Sequence, residues 1–261
     1  QPPSAIDLNG SSVTENLPAG TVVGKFSVTD PDANSSHQLS LAEGNGSTHN
    51  HLFAIDANHT LKTNATFDYE SNASTYSIRV RAKDEHNASL EKVFAVSLTN
   101  ANETPFDLNA TAPLSVAENL PIGTKVGELN ATDPDANSTL TYTLVEGAND
   151  NHLFSIDANG TLRTAAILDH ESNATLSIRA KARDQYNAWI KEDFSISVTN
   201  VVEDFDGDGI EDHADPDDDG DGFSDAVEIA YGSDPRNAQS VANKAPTAID
   251  LNGTSVAENL P

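Results

Sequence analysis

Two twelve-residue stretches space acidic side chains at intervals that suit a hard divalent cation. In residues 204–215, aspartates stand at positions 1, 3, 5, 9 and 12 (Asp204, Asp206, Asp208, Asp212 and Asp215), with Gly209 at position 6 and Ile210 at position 7. In residues 217–228, Asp217, Asp219, Asp221 and Asp225 hold positions 1, 3, 5 and 9, Glu228 holds position 12, and Gly222 and Phe223 hold 6 and 7. Calcium takes about six to eight oxygen ligands, and this is the spacing of a calcium loop: carboxylates at fixed offsets, a glycine at the sharp turn, and a backbone carbonyl at position 7. The side chains of Ile210 and Phe223 are expected to pack inward. A disordered acidic linker is the bland alternative. Glycines at fixed offsets and interposed apolar residues argue against it. A short helix from Ser224 to about residue 231 should follow, capped by Ser224 and stopped by Gly232. With cations the segment should be a compact, rigid spacer; without them, a repelling coil.

Other acids are scattered, but their surroundings recur. Val13-Thr14-Glu15-Asn16-Leu17-Pro18 returns as Val116-Ala117-Glu118-Asn119-Leu120-Pro121. Asp30-Pro31-Asp32 returns as Asp133-Pro134-Asp135, Asp68-Tyr69-Glu70 as Asp169-His170-Glu171, and Asp84 as Asp184. The offset is about 100 residues throughout, the size of one small domain. Residues 1–103 and 104–203 therefore read as two copies of one fold, 204–243 as an acidic spacer, and 244–261 as the opening strand of a further copy. That last assignment rests on residues 5–10, which return unchanged at 248–253. A lone edge strand cannot fold by itself, because its backbone groups need partners. Either the array continues, or the tail completes a neighbouring molecule by strand addition. The first is favoured, since the chain already carries its own opening strand.

The elements that must position these acids are strands. Residues 21–28, 76–82 and 92–98 alternate apolar and polar side chains at period two, as half-buried strands do. Asn-Gly, Asp-Pro and Asp-Ala-Asn clusters punctuate them. Neither copy holds an amphipathic helical stretch. About seven short strands per copy give a Greek-key β-sandwich, so the fold class is all-β: tandem sandwiches plus a small loop segment with one short helix.

Here the residues carry a resemblance. Each copy resembles a cadherin-type domain of microbial surface proteins over residues 4–203: Glu15 resembles the family's first-strand glutamate, Asp68-Tyr69-Glu70 its Asp-x-Glu loop, Asp30-Pro31-Asp32 its Asp-x-Asp, Ala82-Lys83-Asp84 its late aspartate, and residues 100–105 its interdomain linker. The resemblance implies a calcium cage at the junction. Glu15, Asp68 and Glu70 would come from the first copy, Asn100, Asn102 and Glu103 from the linker, and Asp133, Asp135 and Asp184 from the second. Glu118, Asp169 and Glu171 are the matching set at the end of the second copy. Clustered carboxylates repel until a cation neutralises them, so calcium would stiffen the joint. The family linker is richer in aspartate than this one. The linker at residues 243–246 carries Lys244 in place of an acid, so a weaker site, or none, is expected there. The 204–228 segment is similar to thrombospondin type 3 repeats; the entering helix of a full EF-hand is absent.

Asn-x-Ser/Thr sequons stand at Asn9, Asn34, Asn45, Asn58, Asn64, Asn72, Asn87, Asn102, Asn109, Asn130, Asn137, Asn159, Asn173 and Asn252. The chain has 25 asparagines, from which composition alone would give about four or five sequons. All but Asn102, which the calcium linker needs, are candidate acceptors of N-linked glycans. The remaining possibility is that these residues merely make turns.

The 41 acidic against 14 basic residues give a net charge of −27. That charge repels nucleic acid and anionic lipid. The absence of cysteine excludes disulfides, thiolate zinc sites and cysteine nucleophiles. No apolar run is long enough to span a membrane, and no basic-then-apolar signal peptide opens this stretch, so in a secreted protein the signal has been removed or lies outside it. No catalytic constellation appears: His51 and His152 recur as structural residues, His213 sits at a non-ligand loop position, His170 is a spacer, and Trp189 is either a sugar-stacking residue or, the favoured reading, an ordinary strand residue. The chain reads as a non-enzymatic structural component of a calcium-rigidified, N-glycosylated extracellular filament or surface stalk. Its partners would be further copies of the same repeat and covalent glycans. The alternatives are an adhesion or carbohydrate-binding module, and a spacer within a large secreted enzyme.

Overall fold

A computed structural model of the chain describes residues 1–240. The partial third copy, its Lys244 linker and the Asn252 sequon lie outside the described residues. The first copy contributes β1 (Ala5–Asn9), β2 (Ser12–Thr14), β3 (Val22–Thr29), β4 (His37–Leu41), β5 (Phe53–Ile55), β6 (Thr60–Thr63), β7 (Thr75–Asp84) and β8 (Ser89–Thr99). The second repeats them as β9 (Phe106–Ala110), β10 (Ser115–Ala117), β11 (Lys125–Thr132), β12 (Thr141–Leu144), β13 (Phe154–Ile156), β14 (Thr161–Thr164), β15 (Thr175–Arg183) and β16 (Trp189–Thr199). Each copy is a two-layer sandwich of sheets ordered β1-β3-β6-β5 and β2-β8-β7-β4, and β9-β11-β14-β13 and β10-β16-β15-β12. The chain changes sheets between β3 and β4, β4 and β5, and β6 and β7, as a Greek-key sandwich requires.

Where seven strands were expected, each copy has eight, because the opening strand is broken in two. β1 pairs antiparallel with β3, whereas β2 crosses to the other sheet and runs parallel to β8. Gly10 permits the crossing: its φ is +92°, and a Cβ there would stand 2.7 Å from the Val23 carbonyl oxygen.

The period-two reading of the strands holds. Along β7, Tyr76, Ile78, Val80, Ala82 and Asp84 point inward and are buried; along β15, Leu176, Ile178, Ala180 and Ala182 do the same. They meet Ile6, Phe26, Leu61 and Val96 in the first core, and Leu108, Leu129, Leu162 and Ile196 in the second. The recurring Asn-His-Leu-Phe stretch is indeed structural, but through its asparagine. Buried Asn50 donates to the Ala42 carbonyl at 2.9 Å and accepts from the Arg79 N–H at 2.9 Å, and Asn151 does the same for Val145 and Arg179. His51 and His152 are exposed.

Beyond β16 the chain makes two acidic loops and α1 (Asp225–Tyr231). Gly232 ends the helix in the left-handed conformation at φ 77°. Ser224 starts it differently from expectation. Its hydroxyl makes no capping bond; only its carbonyl accepts, from the Val227 and Glu228 N–H groups. The acid of Asp225 occupies the first turn instead.

Candidate metal centres

At the junction, chain reversal gathers residues that are far apart in sequence. Glu15 follows β2 directly and is 1% exposed. Its carboxylate accepts from the Tyr69 N–H and, at 2.8 Å, from the Ala101 N–H. One side chain thus ties the Asp68-Tyr69-Glu70 loop to the linker. Asp68 accepts from the Glu70 and Ser71 N–H groups at 3.0 and 3.1 Å. Carboxylate oxygens of Glu15, Asp68 and Glu70 lie within 4.8 Å of one another, as do those of Glu70, Glu103 and Asp135. Glu70 therefore belongs to both groups.

The second sandwich closes the junction from its own side. Asp135 is buried and accepts from Asn100 Nδ2 at 2.8 Å and from the Glu103 N–H at 2.9 Å. Asp184 is buried; it accepts from Asn102 Nδ2 at 2.7 Å, and its other oxygen accepts the Tyr186 and Ala188 N–H groups. Asp133 holds the Asp135 N–H with one oxygen, while its Oδ2 is buried without a hydrogen-bond partner, as is Glu103 Oε2. Proximity has an electrostatic consequence. Burial pushes the carboxyl pKa of Glu70 and Glu103 up, and neighbouring acids push it further: Glu15, Glu103 and Asp135 for Glu70; Glu15, Asp135 and Asp68 for Glu103. Asp68 goes the other way, because the Ser71 hydroxyl and N–H stabilise its anion.

The end of the second sandwich repeats half of this arrangement. Glu118, 1% exposed, accepts from the His170 and Val201 N–H groups at 2.6 and 2.7 Å, and Glu118, Asp169 and Glu171 oxygens cluster within 4.8 Å. His170 is more than a spacer, since its ring also bonds the Val198 carbonyl at 2.7 Å. The other half is different. Val202 stands where the first linker has Asn102, and the acidic segment, not a sandwich, comes next in the chain. Here Glu171 meets Glu211 and His213 of that segment. Sequence spacing treated His213 as a bystander. Glu203, at the offset of Glu103, accepts from Asn119 as Glu103 does from Asn16.

The two acidic loops fold alike. In each, position 1 accepts the N–H of the position-6 glycine: Asp204 from Gly209 at 3.1 Å, Asp217 from Gly222 at 3.0 Å. Position 3 accepts from position 5 (Asp206 from Asp208, Asp219 from Asp221), and position 5 accepts from position 7 (Asp208 from Ile210, Asp221 from Phe223). Position 9 turns back to position 2: Asp212 accepts from the Phe205 N–H, Asp225 from the Asp218 N–H. Position 12 differs. Asp215 is half-buried and accepts from the Asp217 N–H, whereas Glu228 is fully buried. Ile210 is 44% exposed and does not pack inward as expected; Phe223 is half-buried.

The second loop shows the signature of a cation cage. Asp217 Oδ1, Asp219 Oδ2, Asp221 Oδ2 and both oxygens of Glu228 are buried without any hydrogen-bond partner. Buried polar atoms are almost always paired, and a carboxylate left alone is costly. Five such oxygens from loop positions 1, 3, 5 and 12 form a donor set of hard anionic ligands, which suits calcium. Burial raises the Glu228 pKa; the nearby Ser233 hydroxyl favours the anion, but burial and the charges of Asp219, Asp221 and Asp225 outweigh it. In the first loop, Asp204, Asp206 and Asp208 oxygens gather within 4.8 Å. There the Asp208 N–H favours the Asp206 anion, but burial and the charges of Asp208, Asp215 and Asp204 outweigh it and raise the pKa.

The cadherin-domain family profile matches residues 10–99 and 112–199, covering both sandwiches. The chain belongs to the cadherin family. A bacterial TSP3 repeat profile matches residues 217–238, the second loop and helix. The mouse cadherin EGF LAG seven-pass G-type receptor 1 is 33% identical over 202 residues, 74% of this chain and 7% of that protein. Human protocadherin Fat 4 is 32% identical over 195 residues, 70% of this chain and 4% of that protein. The chain thus spans only a small part of these relatives. Among solved structures, human protocadherin-24 EC1-2 superposes with a TM-score of 0.59 at 23% identity, over 76% of this chain and 99% of that one. Cadherin domains as a class bind calcium. The relatives are non-enzymatic adhesion proteins of the cell surface or extracellular space, and no helix among the described residues is long and apolar enough to cross a membrane.

Proposed function

We propose that this chain is a section of a calcium-rigidified extracellular stalk or filament, built from cadherin units at 1–103 and 104–203, a calcium-binding spacer at 204–243, and the opening of a further unit at 244–261. The observation that carries the reading is the set of orphaned, buried carboxylate oxygens of Asp217, Asp219, Asp221 and Glu228. Ions held there would supply the positive charge that these acids lack. At the junction the residues suited to the same role are Glu15, Asp68, Glu70, Asn100, Asn102, Glu103, Asp133, Asp135 and Asp184. Glu15 already locks loop to linker through two backbone N–H groups, so the chain's own contribution is a pre-aligned hinge whose remaining freedom is opposed by like charge. Neutralising that charge turns a repelling joint into a stiff one. Glu118, Asp169 and Glu171 would do the same where the spacer begins.

Twelve candidate glycan acceptors are exposed: Asn9, Asn34, Asn45, Asn58, Asn64, Asn72, Asn87, Asn109, Asn130, Asn137, Asn159 and Asn173. Asn34, Asn87 and Asn137 also adopt positive φ, which by itself accounts for asparagine at those turns. Negative-stain images of the native material with and without chelator test the stalk. Straight fibres that slacken in chelator support it; particles indifferent to calcium overturn it. An intact mass equal to 27.6 kDa for this section would remove the glycans.

Adhesion between copies is the second reading, favoured by family membership. A protocadherin gammaB7 structure described as a cis-dimer superposes with a TM-score of 0.53 at 24% identity, covering 76% of this chain and 51% of that one. Sedimentation of the chain in calcium checks it: a concentration-dependent dimer supports the reading, a strict monomer sinks it.

A further inference from the structure

The acidic segment carries one basic side chain of its own. Among residues 204–240 the sequence has a single Arg or Lys, Arg236, and the fold brings it back between the two loops. Its Nη2 lies 2.9 Å from Asp212 Oδ2, and its Nε donates to Asp218 Oδ2 at 3.1 Å. Both carboxylates are nearly buried, with side-chain exposures of 7% and 9%. Asp212 belongs to the first loop and Asp218 to the second, so one guanidinium joins them.

Neither acid is free to serve a metal ion in the usual way. The other oxygen of Asp212 is engaged by the Phe205 N–H. Asp218 sits at loop position 2, outside the ligand spacing, and its Oδ1 is buried without a partner. These two charges would stay uncompensated even with both loops filled. The loops also abut directly, since a Cβ on Gly220 would come 2.6 Å from Asp206 Oδ2. Acidic loops packed this closely repel each other, unless a positive group lies between them.

We propose that Arg236 is a built-in counter-ion that clasps the two acidic loops into their paired fold before any metal ion arrives. A guanidinium is well suited to this: it is always charged, and its planar fork can bond two carboxylates at once, which an ammonium point charge does less well. The Asp218 hydrogen bond, followed by the charges of Asp212, Asp218 and Glu203, strengthens its hold on the proton. The segment then keeps its loop geometry in chelator rather than becoming a repelling coil, and calcium enters a scaffold already shaped for it. Calcium entry depends on the loops being the cation sites proposed above; the clasp does not.

Hydrogen exchange on the full chain separates the two. In chelator, the Gly209 and Gly222 amides, which are bonded to Asp204 and Asp217, should be protected in the wild type. In Arg236→Gln they should lose protection about tenfold or more, because two buried carboxylates lose their shared charged donor. Arg236→Lys should fall between. Amides of β7 and β15 should be unchanged in every variant, which shows that the sandwiches remain folded. Calcium should restore protection in Arg236→Gln. Unprotected loops in wild-type chelator samples, or an Arg236→Gln that matches the wild type, would overturn the clasp. If calcium changes nothing in any variant, the calcium reading fails while the clasp is still judged by the chelator samples.

Discussion

The junction between the sandwiches and the second acidic loop are both built from carboxylates, yet they are assembled in opposite ways. At the junction, the acids come from separate segments spread between Glu15 and Asp184, and most of their oxygens already accept hydrogen bonds from backbone N–H or asparagine amide groups. In the loop, the acids come from twelve consecutive residues, and five oxygens accept nothing. The contrast separates two kinds of candidate cation site. The junction is already tied by its own hydrogen bonds, and the ion proposed there would only stiffen it. In the loop, Asp217, Asp219 and Asp221 each tie one oxygen to a backbone N–H and leave the other unpaired, and Glu228 leaves both unpaired. A buried anion with no partner must either bind a cation or take up a proton, so the loop should respond to calcium more sharply than the joint.

The largest expected effect falls on the cage. Glu228→Gln removes the buried position-12 charge and should weaken calcium binding by the second loop on the order of 100-fold or more, as measured by calorimetry. The sandwiches should melt unchanged. An affinity within a few-fold of wild type would erase the distinction drawn between cage and joint.

Glu15→Ala tests the joint. It strands the Tyr69 and Ala101 N–H groups and should lower the stability of the first sandwich by about 2 kcal/mol even in chelator, read from denaturant melts. A loss seen only in calcium would mean that Glu15 works as a ligand and not as a tie.

The third test is pH. Burial and neighbouring acids raise Glu70, Glu103 and Glu228 above their ordinary 4.5. A carboxyl whose folded pKa is raised binds its proton more tightly when folded. Its contribution to stability is therefore full below 4.5 and is lost as pH rises through the raised value. Asp68, shifted down from 3.8 by Ser71, contributes in the opposite sense: its stability is present above 3.8 and is lost only as pH falls through the lowered value. In chelator, the melting temperature should thus fall as pH climbs from the mid-fours toward neutrality. Calcium, which competes with those protons, should flatten or reverse the slope. A chelator profile that rises across that window would refute the electrostatic picture.

The smallest effect concerns Asn102. Its amide faces Asp184 at 2.7 Å, so Asn102→Asp places a like charge there. It should destabilise the joint modestly in chelator and raise calcium affinity a few-fold, read from melts with and without calcium. A stabilisation in chelator would overturn the like-charge picture of the joint.

Much of this was open to reading in the sequence, for a physical reason. Strands announce themselves through period-two alternation, and a calcium loop through fixed offsets, because in both cases neighbours in the chain are neighbours in space. The second loop's acids at Asp217, Asp219, Asp221 and Glu228 could be named for that reason. Duplication extended the reach, since each acid of the first sandwich pointed to its twin about 100 residues on. What alternation cannot show is where a strand changes sheets. At Gly10 that change brings the Val23 carbonyl to where a side chain would stand, a neighbour the local sequence does not reveal.

The sequence alone therefore determined the fold class, the duplication and which acidic residues are candidates to meet a hard cation. Tertiary structure decided which of those acids are already tied and which are not. It showed Asp212 and Asp225 turned back on their own loops, Ile210 facing outward, and His213 and Glu211 brought against Glu171. It also placed Arg236 between two carboxylates, one of them 18 residues away in the chain. Charge acts through distance in space, and only folding sets those distances.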